Sequence, residues 1–292
     1  MQFSFTDAKE YVTFGLRSSG SQLLFYFYTN VDYPIVGYFF GDVALGLYKL
    51  AYEIVLEPVR IISNIVVDIA FPVFARLRHD TRALMAQFAS FTRLNLITVM
   101  LYSAIVFVAA GDVIAVLFPT YGGATTAVRI LCAVAVLRAV GFVAPPLLDG
   151  IGKPERTLRY MTVAAIAMPL MYWLGAVVLG DSMDFESVAI AWAVGYPIAF
   201  AILMYLVIRT LDWSLVEYLR EVGGVAVCML AAGALAAGVH YLLVDLTTGL
   251  RLLATMAVVL VTSGFLLAYT QGLTLRTAIA SMREPPKNQD ET

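Results

Sequence analysis

Six polar side chains lie inside an otherwise apolar run between residues 49 and 68: Lys49, Glu53, Glu57, Arg60, Asn64 and Asp68, spaced 4, 4, 3, 4 and 4 apart. At 100° per helical residue they fall within an arc of about 100°. Leu, Ile, Val, Ala and Tyr fill most of the rest of that stretch. The pattern is a membrane-type helix with one charged stripe. Charge at membrane depth is costly and faces a bundle interior or a water-filled cavity. The chemistry such a stripe offers is binding rather than bond-making: cations for phosphate or carboxylate oxygens, and carboxylates for sugar hydroxyls, cations or coupling protons. Lys49–Glu53 and Glu57–Arg60 are spaced to pair along the helix. Pro58 removes a backbone donor in mid-span and predicts a kink.

Further polar groups sit in neighbouring apolar runs. Arg17, Ser18, Ser21, Gln22, Asn30 and Asp32 belong to the first run, and Arg138 lies near the middle of the fourth. Lys49 and Arg60 are the expected partners of Asp32. Arg138 is read as a cavity cation, with a structural ion pair as the bland alternative. The candidate cavity residues are therefore Arg17, Asn30, Asp32, Lys49, Glu53, Glu57, Arg60, Asn64, Asp68 and Arg138.

The elements that position them are transmembrane helices. Apolar residues make up 61% of the chain and charged residues only 14%, against about 25% charged in soluble domains. Mean hydropathy is +0.83. The expected fold is all-α, a polytopic membrane protein with eight spans near 11–39, 44–74, 84–110, 124–149, 155–179, 186–208, 220–243 and 249–272. Each matches a ~30 Å hydrocarbon core. Segment 111–120 is too short to span. Segment 210–219 reads as an interfacial amphipathic helix with Trp213 and Tyr218 at headgroup level. The domain reading is a six-helix bundle over 1–209, an interfacial linker over 210–219, two additional helices over 220–272 and a polar tail over 273–292. The last two spans are almost purely apolar and read as peripheral.

Arg76, Arg78 and Arg82, then Lys153, Arg156 and Arg159, then Arg209 and Arg220 fall in alternate loops, and the tail carries Arg276, Arg283 and Lys287. This bias places both termini in the cytoplasm and the chain in the inner (plasma) membrane. Arg251 breaks the alternation. No nucleophile elbow, phosphate-binding glycine loop or metal-ligand spacing is present, so neither an enzyme nor a metal or cofactor protein is expected. Cys132 and Cys228 read as core side chains. A net charge of −2 with no basic block gives no basis for nucleic-acid binding.

Asn30-Val31-Asp32, Gly37, Gly41, Ala44-Leu45-Gly46-Leu47-Tyr48, Ala51-Tyr52, Pro58, Phe71-Pro72 with the following Arg-rich loop, and Gly152-Lys153-Pro154 resemble the polysaccharide transporter branch of the multidrug/oligosaccharidyl-lipid/polysaccharide flippase superfamily. The resemblance covers residues 12 to about 160. It implies flipping of a lipid-diphosphate-linked oligosaccharide for cell-surface polysaccharide, with membrane lipids around it. It also implies two six-helix lobes, of which this chain resembles the carboxy-terminal one plus two extra helices. The expected partner is therefore an amino-terminal lobe or a second chain. Arg17, Arg60 and Arg138 would then face the diphosphate. The alternatives are a non-transporting scaffold of a glycan-assembly complex and a drug/cation antiporter.

Overall fold

The computed structural model describes residues 5–272, all-α, with the tail over 273–292 outside the described residues. The helices are α1 (Phe5–Tyr28), α2 (Asp32–Arg76), α3 (Thr81–Val108), α4 (Ala110–Leu117), α5 (Thr125–Gly150), α6 (Pro154–Met183), α7 (Glu186–Leu211), α8 (Leu215–Leu242) and α9 (Thr248–Gln271), with a 3-10 turn at Pro119–Ala124. Eight of them are long. Six of those, α3 and α5 to α9, are long and apolar enough to cross a membrane on composition alone. The two that miss that threshold, α1 and α2, carry most of the polar residues singled out above; Arg138 is on α5 and Asn30 in the turn between α1 and α2. The chain is a multi-pass membrane protein.

The first span ends earlier than 39. Thr29 Oγ1 donates to the Phe25 carbonyl (2.7 Å) and Asn30 Nδ2 to the Tyr26 carbonyl (2.7 Å). These bonds satisfy carbonyls left open at the end of α1, so the chain turns at Thr29–Val31 and restarts at Asp32. The expected turn at Gly41-Asp42 is a bend inside α2. Gly41 has φ 82°, ψ −178°, the one non-helical conformation in that helix. A positive φ of this kind favours glycine.

Pro58 does not break α2, whose backbone stays helical there. The missing Pro58 N–H leaves the Ile54 carbonyl without its intrahelical donor. The Tyr102 hydroxyl of α3 donates to that carbonyl instead. Tyr102→Phe should therefore cost about 1–3 kcal/mol, the penalty for an orphaned buried carbonyl. Adding Pro58→Ala restores the N–H and should rescue the thermal midpoint in detergent. A neutral single variant, or a double variant no better than the single, would count against this pairing.

The expected interfacial helix over 210–219 is not a separate element. Asp212, left-handed at φ 51°, ends α7, and α8 starts at Leu215. Tyr218 is buried, stacked on Phe88 of α3 (5.7 Å) with Trp213 edge-on to it (5.4 Å). Stacking the Tyr218 ring on Phe88 outweighs leaving it at the surface.

α5 is the central helix, packed against α2, α3 and α7, while α6 packs against α1 and α7. The α8–α9 pair is peripheral and docks on α3. Arg251, the exception to the charge alternation, forks onto buried Asp112 of α4, with Arg251 Nε 2.7 Å from Asp112 Oδ2. An ion pair of this kind holds the arginine locally, whatever the charge bias of the loops. The orientation has a direct check. With the buried Cys132 and Cys228 replaced by Ala, Met183→Cys should react with an impermeant maleimide from outside intact cells, and Thr81→Cys should not. The reverse pattern would invert the topology.

Candidate functional site

The α2 stripe lies on the outside of the chain. The Lys49 and Glu53 side chains are 60% and 55% exposed and pair at 3.7 Å. Arg60 donates to Glu57 Oε2 through both Nε (3.0 Å) and Nη2 (2.7 Å). Asn64 and Asp68 are exposed as well. The opposite face of α2, with Tyr48, Tyr52, Val55, Val59 and Ser63, is buried against the bundle. The stripe thus lies on the uncovered side of α2, flanked there by exposed Ile61, Ile65 and Ile69.

Beside the stripe a cavity of ≈ 250 Å³ opens between α1, α2, α5, α6 and α7. Ser18, Ser21 and Gln22 line it from α1, Asn64 from α2, Arg138 and Asp149 from α5. Gly141 lets the Tyr196 hydroxyl of α7 come up against the α5 backbone, where a Cβ would collide with it. Nearer the other end of α2, Asn30, Tyr33, Lys49, Glu53 and Glu57 line a second cleft of ≈ 470 Å³.

Arg138 is the unusual group. It is 2% exposed and forms no ion pair with a carboxylate among the described residues. Its guanidinium lies 5.1 Å from the Trp192 ring centroid and 5.5 Å from that of Phe142, cation–π distances in both cases. One long hydrogen bond runs from Nη1 to the Tyr52 hydroxyl (3.3 Å). A guanidinium has five N–H donors, so most of this one's donor capacity remains unused on the cavity wall.

Two aromatic side chains tie Arg138 to the α1–α2 turn. Tyr52 donates to the Thr29 carbonyl (3.2 Å), and Trp192 Nε1 donates to Asp32 Oδ2 (2.9 Å). Asp32 also accepts from the Tyr48 hydroxyl (2.7 Å) and the Tyr33 N–H (3.0 Å). Tyr33 in turn packs edge-on to Tyr52 (5.4 Å). The contact chain Tyr33–Tyr52–Arg138 stands between the two clefts.

The candidates are therefore divided. Asn64 and Arg138 share the inner cavity, and Asn30, Lys49, Glu53 and Glu57 share the other cleft. Arg60 and Asp68 lie on the stripe but line neither. Arg17 pairs with Glu155 (3.5 Å) at the start of α6, so Arg17, Arg60 and Arg138 do not meet at one point. Asp32 does not pair with Lys49 or Arg60. It is fully buried behind the stripe, where three N–H and O–H donors satisfy it more cheaply than a surface cation could. Sequence reasoning overlooked the aromatic frame of Tyr52, Phe142, Trp192 and Tyr196. A usable signal existed: Tyr52, Trp192 and Tyr196 sit in mid-span, away from the interfacial belts where such residues usually concentrate.

Residues 1–121 match the model of the polysaccharide biosynthesis protein family. The match covers less than half of the chain. The chain is 32% identical over 139 residues to the teichuronic acid biosynthesis protein TuaB of Bacillus subtilis (strain 168), covering 47% of this chain and 29% of TuaB. It is 22% identical over 203 residues to the lipopolysaccharide biosynthesis protein WzxC of Escherichia coli (strain K12), covering 68% of this chain and 38% of that protein. The matched stretch thus spans well under half the length of either relative. Among solved structures, a MOP superfamily transporter from Pyrococcus furiosus is similar at 14% identity and TM-score 0.47, over 94% of this chain and 68% of that one. That likeness is too distant to assign a role to any residue. The stretch that matches the family model contains α1, α2 and the whole stripe.

Proposed function

We propose that this chain forms one lobe of a membrane flippase that moves a lipid-diphosphate-linked oligosaccharide from the cytoplasmic to the outer leaflet. The observation that carries the reading is Arg138, a buried cation in no ion pair among the described residues, with spare donors on a cavity wall that also carries Ser18, Gln22 and Asn64. Such a group leaves its charge uncompensated until an anion arrives. A guanidinium fork matches phosphate oxygens in two parallel hydrogen bonds. Ser18, Gln22 and Asn64 supply neutral groups around it, and Glu53 and Glu57 in the outer cleft suit sugar hydroxyls. The names of TuaB and WzxC, proteins of teichuronic acid and lipopolysaccharide biosynthesis, agree with a glycan cargo.

The exposed stripe supports a second lobe facing it across water. Lipid would leave its charges unsolvated. A second copy related by a two-fold axis along the membrane normal would set each charge opposite its own kind at the same depth, a repulsive arrangement in a dry interface. A hydrated cleft against a different lobe avoids both costs. Transport would then be rocking of the two lobes about the central site. A drug/cation antiporter needs an unpaired carboxylate in the cavity. Asp149 lines the same cavity, accepts from Thr157 Oγ1 (2.6 Å) and forms no ion pair among the described residues, so that reading predicts loss of cargo binding on Asp149→Asn, whereas the flippase reading predicts it on Arg138→Met.

Reconstitution tests this reading. In proteoliposomes the chain should bind a polyprenyl-diphosphate-linked sugar and lose it to excess inorganic diphosphate. It should show no translocation until a partner lobe is supplied. Binding of the uncharged polyprenol with equal strength would remove the anion from the account. Translocation by a demonstrated monomer would remove the second lobe.

A further inference from the structure

The α8–α9 pair is pinned to the bundle at its two ends. At one end Arg93 of α3 pairs with Glu221 of α8 (3.5 Å), beside the Phe88–Tyr218 stack. At the other, Arg251 of α9 forks onto Asp112, and His240 Nδ1 of α8 lies 2.9 Å from Thr255 Oγ1 of α9. Between these fastenings the helices do not close. A crevice of ≈ 390 Å³ remains between α3, α5 and α8. Small side chains make the room: Ala104 on α3, Ala133 on α5, and Gly233 and Ala234 on α8.

The lining decides what fills it. The only side-chain hydrogen-bonding groups in it are the Ser103 hydroxyl, which is buried without a partner, and the Cys132 thiol. A buried water needs two to four polar partners, and an apolar cavity stays dry. The crevice is not sealed, because Phe107 and Leu230 in its lining are 47% and 64% exposed. All three walls are helices long and apolar enough to cross a membrane, so the mouth opens on hydrocarbon. Its residues lie towards the end of α3, the first half of α5 and the second half of α8, which is one side of the bilayer midplane. With the cavity that Arg138 lines it shares the helix α5 but no residue.

We propose that this crevice is a binding site for one acyl chain of a bilayer phospholipid, which fills the seam between α8 and the bundle. The chain enters past Phe107 and Leu230 and completes the packing that the small residues leave open. The site is separate from the cargo cavity and stands whether or not the protein flips lipid-linked glycan.

A phospholipid with a diazirine in mid-acyl chain tests it. The full chain is reconstituted in nanodiscs containing the probe, irradiated, digested and mapped by mass spectrometry. Label is expected on the segments carrying Ala133 and Met229–Ala234, in excess of that on exposed α9 residues such as Leu253 and Val261. Ala133→Phe, which fills the crevice, should lose the crevice label and keep the α9 label. Ala234→Leu is a second filling variant, read in the same way if the first does not accumulate. Equal labelling of the crevice and α9, crevice label that survives filling, or cross-links to a second copy in place of lipid would each overturn the proposal.

Discussion

Arg138→Met is expected to leave a folded, inserted protein that no longer holds its anionic cargo. Arg138 has no carboxylate to strand, and its hydrogen-bond partner Tyr52 keeps its bond to the Thr29 carbonyl. Methionine fills much of the same space among Trp192, Phe142 and Tyr52 without a desolvated charge, so the thermal midpoint should hold or rise. Binding should fall sharply. Two charge-assisted bonds to phosphate are together worth about 3 kcal/mol or more, which is about 100-fold in affinity. Arg138→Lys should recover part of this loss, because a point charge remains while the fork does not. The readouts are affinity for polyprenyl diphosphate and thermal midpoint, measured on the same preparations. A variant that unfolds would place Arg138 among structural groups, and one that binds normally would remove it from the site.

The second large effect is expected on the stripe. Glu57 and Arg60 pair on the exposed face of α2, at 2.7 Å. If they only neutralise each other, Glu57→Leu with Arg60→Leu should be neutral or stabilising, as exchange of an ion pair for apolar groups often is. If they line a hydrated pathway, the double variant should accumulate normally and stop export by the assembled transporter, since an apolar band would dewet the cleft. Arg60→Lys should do less harm than Arg60→Leu. Polysaccharide export and membrane abundance of the same cells give the answer. Full export from the double variant would return the pair to a structural role.

Both experiments separate charge that holds the fold from charge that serves a ligand, and the structure already sorts some groups. Asp32 is read as a structural latch. Its carboxylate accepts from Tyr48, Trp192 and the Tyr33 N–H, joining the start of α2 to α7. Asn95 does similar work, donating to Ser63 Oγ (3.0 Å) and the Ala139 carbonyl (2.6 Å) across α2, α3 and α5. Such bonds fasten helices where hydrophobic burial gives little drive.

The sequence by itself determined the helical membrane class, because apolar runs of span length between turn residues leave few alternatives in lipid. It also determined the stripe, because a spacing of 3 and 4 on one helix fixes which residues share a face. The pairs Lys49–Glu53 and Glu57–Arg60 were legible for the same reason. Local spacing is silent on which surface a face meets, and this only the tertiary structure decided. Packing turned the stripe outward and put Tyr48, Tyr52 and Ser63 within. It drew Asp32 away from Lys49 and Arg60 to an indole and a phenol 160 and 16 residues distant. It left Arg138 in no ion pair among the described residues, a property that depends on every helix around it. The end of α1 at Thr29 also escaped the sequence reading. Thr29, Asn30, Asp32 and Pro34 interrupt the hydropathy there, and the break itself comes from two side chains bonding carbonyls one turn back.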